Sequence, residues 1–241
     1  MSRSAPWLVL LRHGHSEWNL TDRFTGWTDI PLTEVGLAEA AAAGQSLANA
    51  GYRFDEVHVS ALRRTRQTAE VLLAAMGAAQ VPIYATWRLN ERHYGALQGL
   101  NKKEIFATWG EQLSRRWWRG YYDPPPALDR DDPRHPRFDP KYAALADADL
   151  PASESLRDCQ RRSLPYWNEV LLPRLRAGRR LLVISHGNTL RGLVMHLDGL
   201  DAAAMEHVEI ASGVPLVYRF APDLAAIGRE WLESPVLPAS V

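Results

Sequence analysis

Two short stretches of the chain share a pattern suited to chemistry on an anion. Leu10-Leu11-Arg12-His13-Gly14 and Val183-Ile184-Ser185-His186-Gly187 each end an apolar run in a His-Gly pair. Such a run reads as a buried strand. In open α/β sheets ligands bind at the carboxyl ends of strands. If the two strands are neighbours, His13 and His186 face each other across that edge. Each glycine lets the backbone approach a ligand closely. A helix starting after it would present unpaired N–H groups, a ready anion site.

Two chemistries fit these histidines. One is a histidine nucleophile, with Arg12 and other guanidiniums holding a phosphoryl group. A neutral imidazole is abundant near pH 7. Phosphoryl transfer needs mainly positioning and charge neutralisation, which arginines supply. Arg64 follows the apolar run Val57-His58-Val59 and is placed to join; Arg63 and Arg66 read as a solvated face. The other chemistry is a metal site. His13-x-His15 is a spacing that metals use, with His186 as a third ligand. Arg12 and the lack of an Asp/Glu cluster argue against it, so no metal is expected. Glu91, in Leu89-Asn90-Glu91-Arg92-His93-Tyr94, reads first as a salt-bridge partner. It also has the chemistry of a general acid and base for a substrate hydroxyl.

The elements that must position these groups follow from periodicity. Trp7–Leu11, Val57–Val59, Val81–Ala85, Leu181–Ile184 and Val214–Phe220 read as strands. Helices are predicted over 38–50 after a Thr33 cap, over 63–76, and over 188–197. A long helix from Ser153 should kink or break before Pro165. Strands alternating with helices predict an α/β fold with a mainly parallel central sheet and helices on both faces, a three-layer sandwich. Residues 100–151 break the rhythm. Trp117-Trp118 is followed by Pro124-Pro125-Pro126 and further prolines. This reads as a structured insertion near the site, because its aromatic side chains need burial. One domain over 1–241, carrying that insertion, is expected.

Composition narrows the function classes. The 241 residues carry 28 Lys+Arg and 28 Asp+Glu. A formal charge of zero argues against a general binder of nucleic acid or anionic membrane. All but three of the cations are arginines, the better bidentate partners for phosphate and carboxylate. Cys159 is the only cysteine, which rules out an intrachain disulfide and a thiolate cluster and suits a reducing compartment. The run Trp7–Leu11 is too short for a signal-peptide core, and no run approaches a membrane span. A soluble cytoplasmic protein is expected.

Leu11-Arg12-His13-Gly14-x-Ser16-x-Trp18-Asn19 resembles the signature of the histidine phosphatase superfamily. Further strings are similar to its cofactor-dependent phosphoglycerate mutase branch. They are Arg23-Phe24-Thr25-Gly26-Trp27, Asn90 to Gly99, Leu100-Asn101-Lys102, Pro165 to Asn168 and Ser212 to Tyr218. The resemblance runs in order over about residues 7–220. It implies the fold of that family, and interconversion of 2-phosphoglycerate and 3-phosphoglycerate in glycolysis and gluconeogenesis. The enzyme would pass through a phosphohistidine primed by 2,3-bisphosphoglycerate. The alternative is a phosphatase on the same fold, acting on a small phosphorylated metabolite. A non-catalytic phospho-ligand binder is a third reading, countered by the presence of both His13 and Glu91.

The resemblance implies roles residue by residue. His13 becomes the nucleophile, His186 stabilises the phosphoryl group in transit, and Glu91 donates and accepts the hydroxyl proton. Arg12, Asn19, Arg64, Gly187 and Asn188 hold the phosphoryl group, and Ser16 counts among the substrate-binding residues. Thr25, Gly26, Arg92, Tyr94, Lys102 and Arg119 bind the rest of the substrate. The partners are small phosphoglycerates, with a homo-oligomer, dimer or tetramer, implied as well. Three departures stand out. His15 occupies a usually acidic or amide position. Trp118-Arg119 stands where the family has an Arg-Arg pair, with Arg115 or Arg116 as possible replacements. The tail to Val241 is short and free of lysine, where longer tails in the family can cover the site.

Overall fold

The computed structural model describes residues 6–232; the tail to Val241 lies outside them. Six strands form one sheet in the order β3-β2-β4-β1-β5-β6. They are β1 (Trp7–Arg12), β2 (Glu56–Ser60), β3 (Ile83–Thr86), β4 (Leu181–Ser185), β5 (Leu216–Phe220) and β6 (Ala226–Trp231). The first four are mutually parallel, and β5 and β6 add on antiparallel.

The helices are α1 (Glu17–Leu20), α2 (Glu34–Asn49), α3 (Arg63–Ala75), α4 (Lys102–Trp109), α5 (Glu111–Arg119), α6 (Leu156–Tyr166), α7 (Leu172–Arg176), α8 (Gly187–Asp198) and α9 (Ala202–Glu206). Alternate residues of each central strand supply two cores. Val9, Leu11, Val57, Val59, Leu182 and Ile184 pack on Ala43 and Leu47 of α2 and Leu72 and Leu73 of α3. Leu8, Leu10, Leu181, Val183, Leu216 and Tyr218 pack on Leu190, Leu193 and Val194 of α8 and on Trp167, Leu171 and Leu175. Burial on both faces is why these strands read as continuous apolar runs. The architecture is therefore the three-layer α/β sandwich.

Two features differ from the sequence reading, and the proline-rich stretch is structured as expected. Strand β6 is an edge strand with mostly exposed residues and no apolar run to announce it. Pro165 does not end its helix. Helix α6 continues through it, and a wider π-helical turn at Trp167–Leu171 follows before α7. A proline removes one N–H and crowds the carbonyl four residues before it; Pro173, near the start of α7, acts in this way on Glu169 inside the widened turn. The proline-rich stretch contains α4, α5 and short 3₁₀ turns at Pro136–Phe138, Pro140–Tyr142 and Asp147–Asp149. It is tied to the sheet edge by Asn90, whose Nδ2 donates to the Tyr142 hydroxyl at 2.8 Å.

Candidate active site

Parallel pairing of β1 with β4 matches Leu11 to Ile184 and Arg12 to Ser185. The next residue on each strand is a histidine, so the two imidazoles meet at the sheet edge. Their ring centroids are 5.0 Å apart and edge-on. Both are buried.

Hydrogen bonds fix both tautomers. His13 Nδ1 lies 2.6 Å from the Gly14 carbonyl, which can only accept, so Nδ1 carries the proton. The His13 Nε2 lone pair then accepts from Arg64 Nε at 3.2 Å. His186 Nε2 donates to Ser60 Oγ at 2.8 Å. Its Nδ1 accepts from the same Arg64 Nε at 3.2 Å. The remaining Arg64 nitrogens donate to the carbonyls of Gly26 and Thr28, both at 2.9 Å. One guanidinium is thus held between two imidazoles by four acceptors. Desolvation, then Arg64, depresses both histidine pKa values well below the ordinary range. His13 is a neutral imidazole with its Nε2 facing Arg64 and the cavity.

That cavity encloses about 750 Å³, its open mouth included. His13, Arg12, Arg64, Asn19, Gly187 and Asn188 form its floor, with Glu91 beside them. Arg12 donates Nη1 to the Ile210 carbonyl at 3.0 Å. Its Nε is buried without a partner. Such an orphaned cationic donor is what an incoming anion oxygen would satisfy. Glu91 Oε1 accepts the backbone N–H of Arg92 at 2.8 Å and of Asn188 at 3.2 Å. The open N-terminus of α8 therefore holds the carboxylate. Gly187 keeps the space above clear. A Cβ there would sit 3.8 Å from Arg12 Nε and 3.9 Å from Glu91 Oε2.

Thr25, Gly26, Tyr94, Lys102 and Arg119 line the outer part, together with Arg23, Phe24, Trp118, Arg191, Glu209 and Ile210. Gly26 is irreplaceable for two reasons. Its φ of +56° is left-handed, and a Cβ would fall 2.0 Å from Gln98 Oε1. That amide oxygen accepts from the Trp27 N–H at 2.8 Å, so the loop is fixed there.

Ser16, Arg92 and His186 do not line the cavity. Ser16 donates its N–H and hydroxyl to Asn19 Oδ1, which orients the Asn19 amide toward the floor. Arg92 is wholly buried behind the Tyr94 ring, 4.6 Å from its centroid. It donates to the carbonyls of Trp117 and Trp118 and so caps the end of α5. Only Nη2 is committed to the helix end; the Arg92 Nε and Nη1 are buried without a partner. His186 lies behind Arg64, its Nδ1 accepting from Arg64 Nε at 3.2 Å. Neither Arg115 nor Arg116 replaces the missing arginine. Arg115 pairs with Glu111 and Arg116 with Asp123, both on the exposed face of α5.

The three histidines do not converge on a metal. His15 turns to Glu39, with Nδ1 2.7 Å from Oε1, and the Arg64 guanidinium sits between the other two. Among the described residues no group of three or more His, Cys, Asp or Glu is placed to hold a metal ion.

Sequence reading missed Arg191, Glu209 and the support beneath Glu91. Arg191 follows Asn188 by three residues on α8, the same helical face, which was an available signal. Glu209 sits in no motif. Arg162 donates to the carbonyls of Trp87, Arg88, Asn90 and Glu91 and pairs with Glu154 at 2.7 Å, both partners buried. Trp27 Nε1 donates to the Glu91 carbonyl at 2.7 Å. These bonds fix the backbone that presents Glu91.

The fold and this constellation define the class. The family model for the histidine phosphatase superfamily (branch 1) matches residues 8–227, and the chain belongs to that superfamily. The chain is 48% identical over 230 residues to a 2,3-bisphosphoglycerate-dependent phosphoglycerate mutase of Nitratidesulfovibrio vulgaris (strain DSM 19637 / Miyazaki F), covering 95% of this chain and 92% of that protein. Solved structures share the fold. A mycobacterial hydrolase aligns with a TM-score of 0.72 at 23% identity, over 96% of this chain and 100% of that one. A mycobacterial glucosyl-3-phosphoglycerate phosphatase complexed with VO3 aligns with a TM-score of 0.67 at 25% identity, over 89% of this chain and 92% of that one. No helix among the described residues is long and apolar enough to cross a membrane.

Proposed function

We propose that the chain is a 2,3-bisphosphoglycerate-dependent phosphoglycerate mutase that interconverts 2-phosphoglycerate and 3-phosphoglycerate. The observation that carries this reading is the 48% identity, over 95% of the chain, to a mutase of that name. The cavity's chemistry agrees. Beyond the floor pocket it has a second set of cations, among them Lys102, Arg119 and Arg191. A phosphate on the floor and a carboxylate at the rim fit that division.

The residues then take these roles. In the primed enzyme the free hydroxyl of the bound phosphoglycerate attacks the phosphorus on His13 Nε2, Glu91 takes its proton, the O–P bond forms and the N–P bond breaks, giving bisphosphoglycerate. His13 Nε2 then attacks the other phosphorus in line, the N–P bond forms and that P–O bond breaks. Glu91 returns its proton to the departing oxygen, which leaves isomerised phosphoglycerate and a phosphohistidine ready for the next turn. Arg12 and Arg64 neutralise charge on the equatorial oxygens throughout. His186 keeps Arg64 aimed. Tyr94 and Asn188, joined by a 2.9 Å hydrogen bond, shape the wall beside Glu91. Bisphosphoglycerate, when bound, supplies the phosphoryl group that primes His13. The orphaned donor of Arg12 and the rim cations suit its two phosphates. A glycolytic role places the protein in the cytoplasm, and a homo-oligomer belongs to the same reading.

The test follows isomerised phosphoglycerate and free phosphate in one assay, with and without bisphosphoglycerate. Isomerisation that exceeds hydrolysis by orders of magnitude and requires the primer is expected. Free phosphate as the main product would make the chain a phosphatase.

A further inference from the structure

The rim segment after α9 touches two cavity arginines through different groups. The Ile210 carbonyl accepts from Arg12 Nη1 at 3.0 Å, and the Glu209 carboxylate accepts from Arg119 Nη2 at 2.7 Å. The backbone of the segment is pinned. Gly213 N–H donates to the Arg12 carbonyl at 3.0 Å, and Arg12 bridges Ser212. The Glu209 side chain is not pinned. It is 77% exposed, and Arg119 is the one hydrogen-bond partner of its carboxylate among the described residues. Arg119 itself rests on the Trp118 ring and points into the cavity mouth. Behind it, Arg191 forms no ion pair with a carboxylate among the described residues; it donates to Asn188 Oδ1 and to the carbonyls of Met205 and Arg119. Lys102 is paired with Asp22 at 2.8 Å, so Arg119 and Arg191 are the outer cations that face one removable anion, Glu209.

We propose that Glu209 is a specificity-determining residue: an internal anion that occupies Arg119 and that the second anionic group of an incoming ligand must displace. The identity of that ligand rests on the mutase reading. A single phosphate satisfies Arg12 and Arg64 on the floor and leaves the Arg119–Glu209 pair intact. A phosphate-plus-carboxylate ligand exchanges one carboxylate on Arg119 for another, so its gain there is only the difference between them. The displaced Glu209 side chain swings into solvent, where it is already largely exposed. The pair thus weakens two-anion ligands selectively. Exposed ion pairs are individually weak, so the penalty is graded rather than a block.

The experiment measures Kd by calorimetry for 3-phosphoglycerate and for inorganic phosphate, on the wild type, Glu209→Gln, Arg119→Gln and the double variant. Glu209→Gln should tighten 3-phosphoglycerate about threefold to fivefold. Inorganic phosphate should change by less than about twofold. In the Arg119→Gln background, Glu209→Gln should no longer tighten 3-phosphoglycerate. Unchanged or weaker 3-phosphoglycerate binding by Glu209→Gln overturns the proposal. So does an equal gain in the Arg119→Gln background, which would assign the effect to the general field of the cavity. Failure of the mutase reading would show separately, as free phosphate instead of isomerised product from the wild type, while the binding comparison stands.

Discussion

At the floor of the cavity, Arg64 is 1% exposed and donates to two imidazoles and two backbone carbonyls. At the rim, Arg119 leans on Trp118 and meets the carboxylate of Glu209, which is 77% exposed. Both are arginines lining one cavity, yet they are held in opposite ways. The floor is fixed by backbone acceptors before any ligand arrives, so its dipoles need no rearrangement when charge develops. The rim is held by exchangeable side-chain pairs. Floor substitutions should therefore fall on the transferring group, and rim substitutions on affinity.

The sharpest test of the floor is His13 itself. The Gly14 hydrogen bond puts the proton on Nδ1 and so leaves the lone pair on Nε2, where it accepts from Arg64 Nε at 3.2 Å. His13→Ala should abolish acid-labile labelling by radiolabelled bisphosphoglycerate. Undiminished labelling would move the nucleophile elsewhere. Next is Glu91→Gln, which keeps the hydrogen bonds from Arg92 and Asn188 but removes the titratable proton. Turnover should fall by about 10²- to 10⁴-fold, while inorganic phosphate still binds. Arg64→Ala follows. Loss of one charge-matched donor typically costs about 3 kcal/mol of transition-state stabilisation, roughly a hundredfold in rate. A rate within about threefold of wild type would show that the floor is not pre-organised around Arg64.

Burial of neutral histidines gives the floor and its surroundings a pH signature. His13 and His186 are depressed well below the ordinary value by desolvation and Arg64. His58 is lowered to about 4 and His93 to about 3, in both cases chiefly by burial. Below pH 6.5 the unfolded chain binds protons that the folded chain refuses. Stability from these groups is full above that pH and is lost as pH falls, down to about 4 for His58 and about 3 for His93. Each contributes a slope of up to about 1.4 kcal/mol per pH unit. Urea midpoints at pH 7.5, 6.5 and 5.5 should decline across the last interval. A flat profile would mean that the imidazoles are not buried neutral.

The same contrast explains what could be read from sequence. Strands β1 and β4 were legible because both faces are buried, which leaves unbroken apolar runs such as Leu181–Ile184; β3, at the sheet edge, is half-buried to exposed and was read from Val81–Ala85 alone. Strand β6 was not, since only its backbone pairing makes it a strand. The floor residues sit one step past strand ends, where position follows from topology. The hydrogen-bond partners of Ser16, Arg92 and His186 were invisible, because they depend on what lies behind the lining. Arg92 was read as a ligand group; that its Nη2 also caps α5 could not be read from the sequence. Glu209 had no motif, and its importance comes only from the fold bringing it to Arg119.

The smallest expected effect lies at Trp118, where a ring stands in the place of a charged clamp. Its face meets two cations, the Arg119 guanidinium 4.6 Å and the Lys102 ammonium 5.5 Å from the ring centroid. Lys102 has a second anchor, Asp22 Oδ1 at 2.8 Å, and Arg119 has Glu209 at 2.7 Å. Removing the ring therefore loosens both cations without freeing either. A cation over an aromatic face at a partly exposed site is worth about 0.5–1 kcal/mol. Trp118→Ala should raise KM for phosphoglycerate roughly fivefold, with the change in KM rather than in kcat. Trp118→Phe keeps a ring in reach and should restore most of the affinity. If Trp118→Ala instead lowers kcat on the scale expected for Arg64→Ala, the rim is as rigidly coupled to the chemistry as the floor, and the division between them fails.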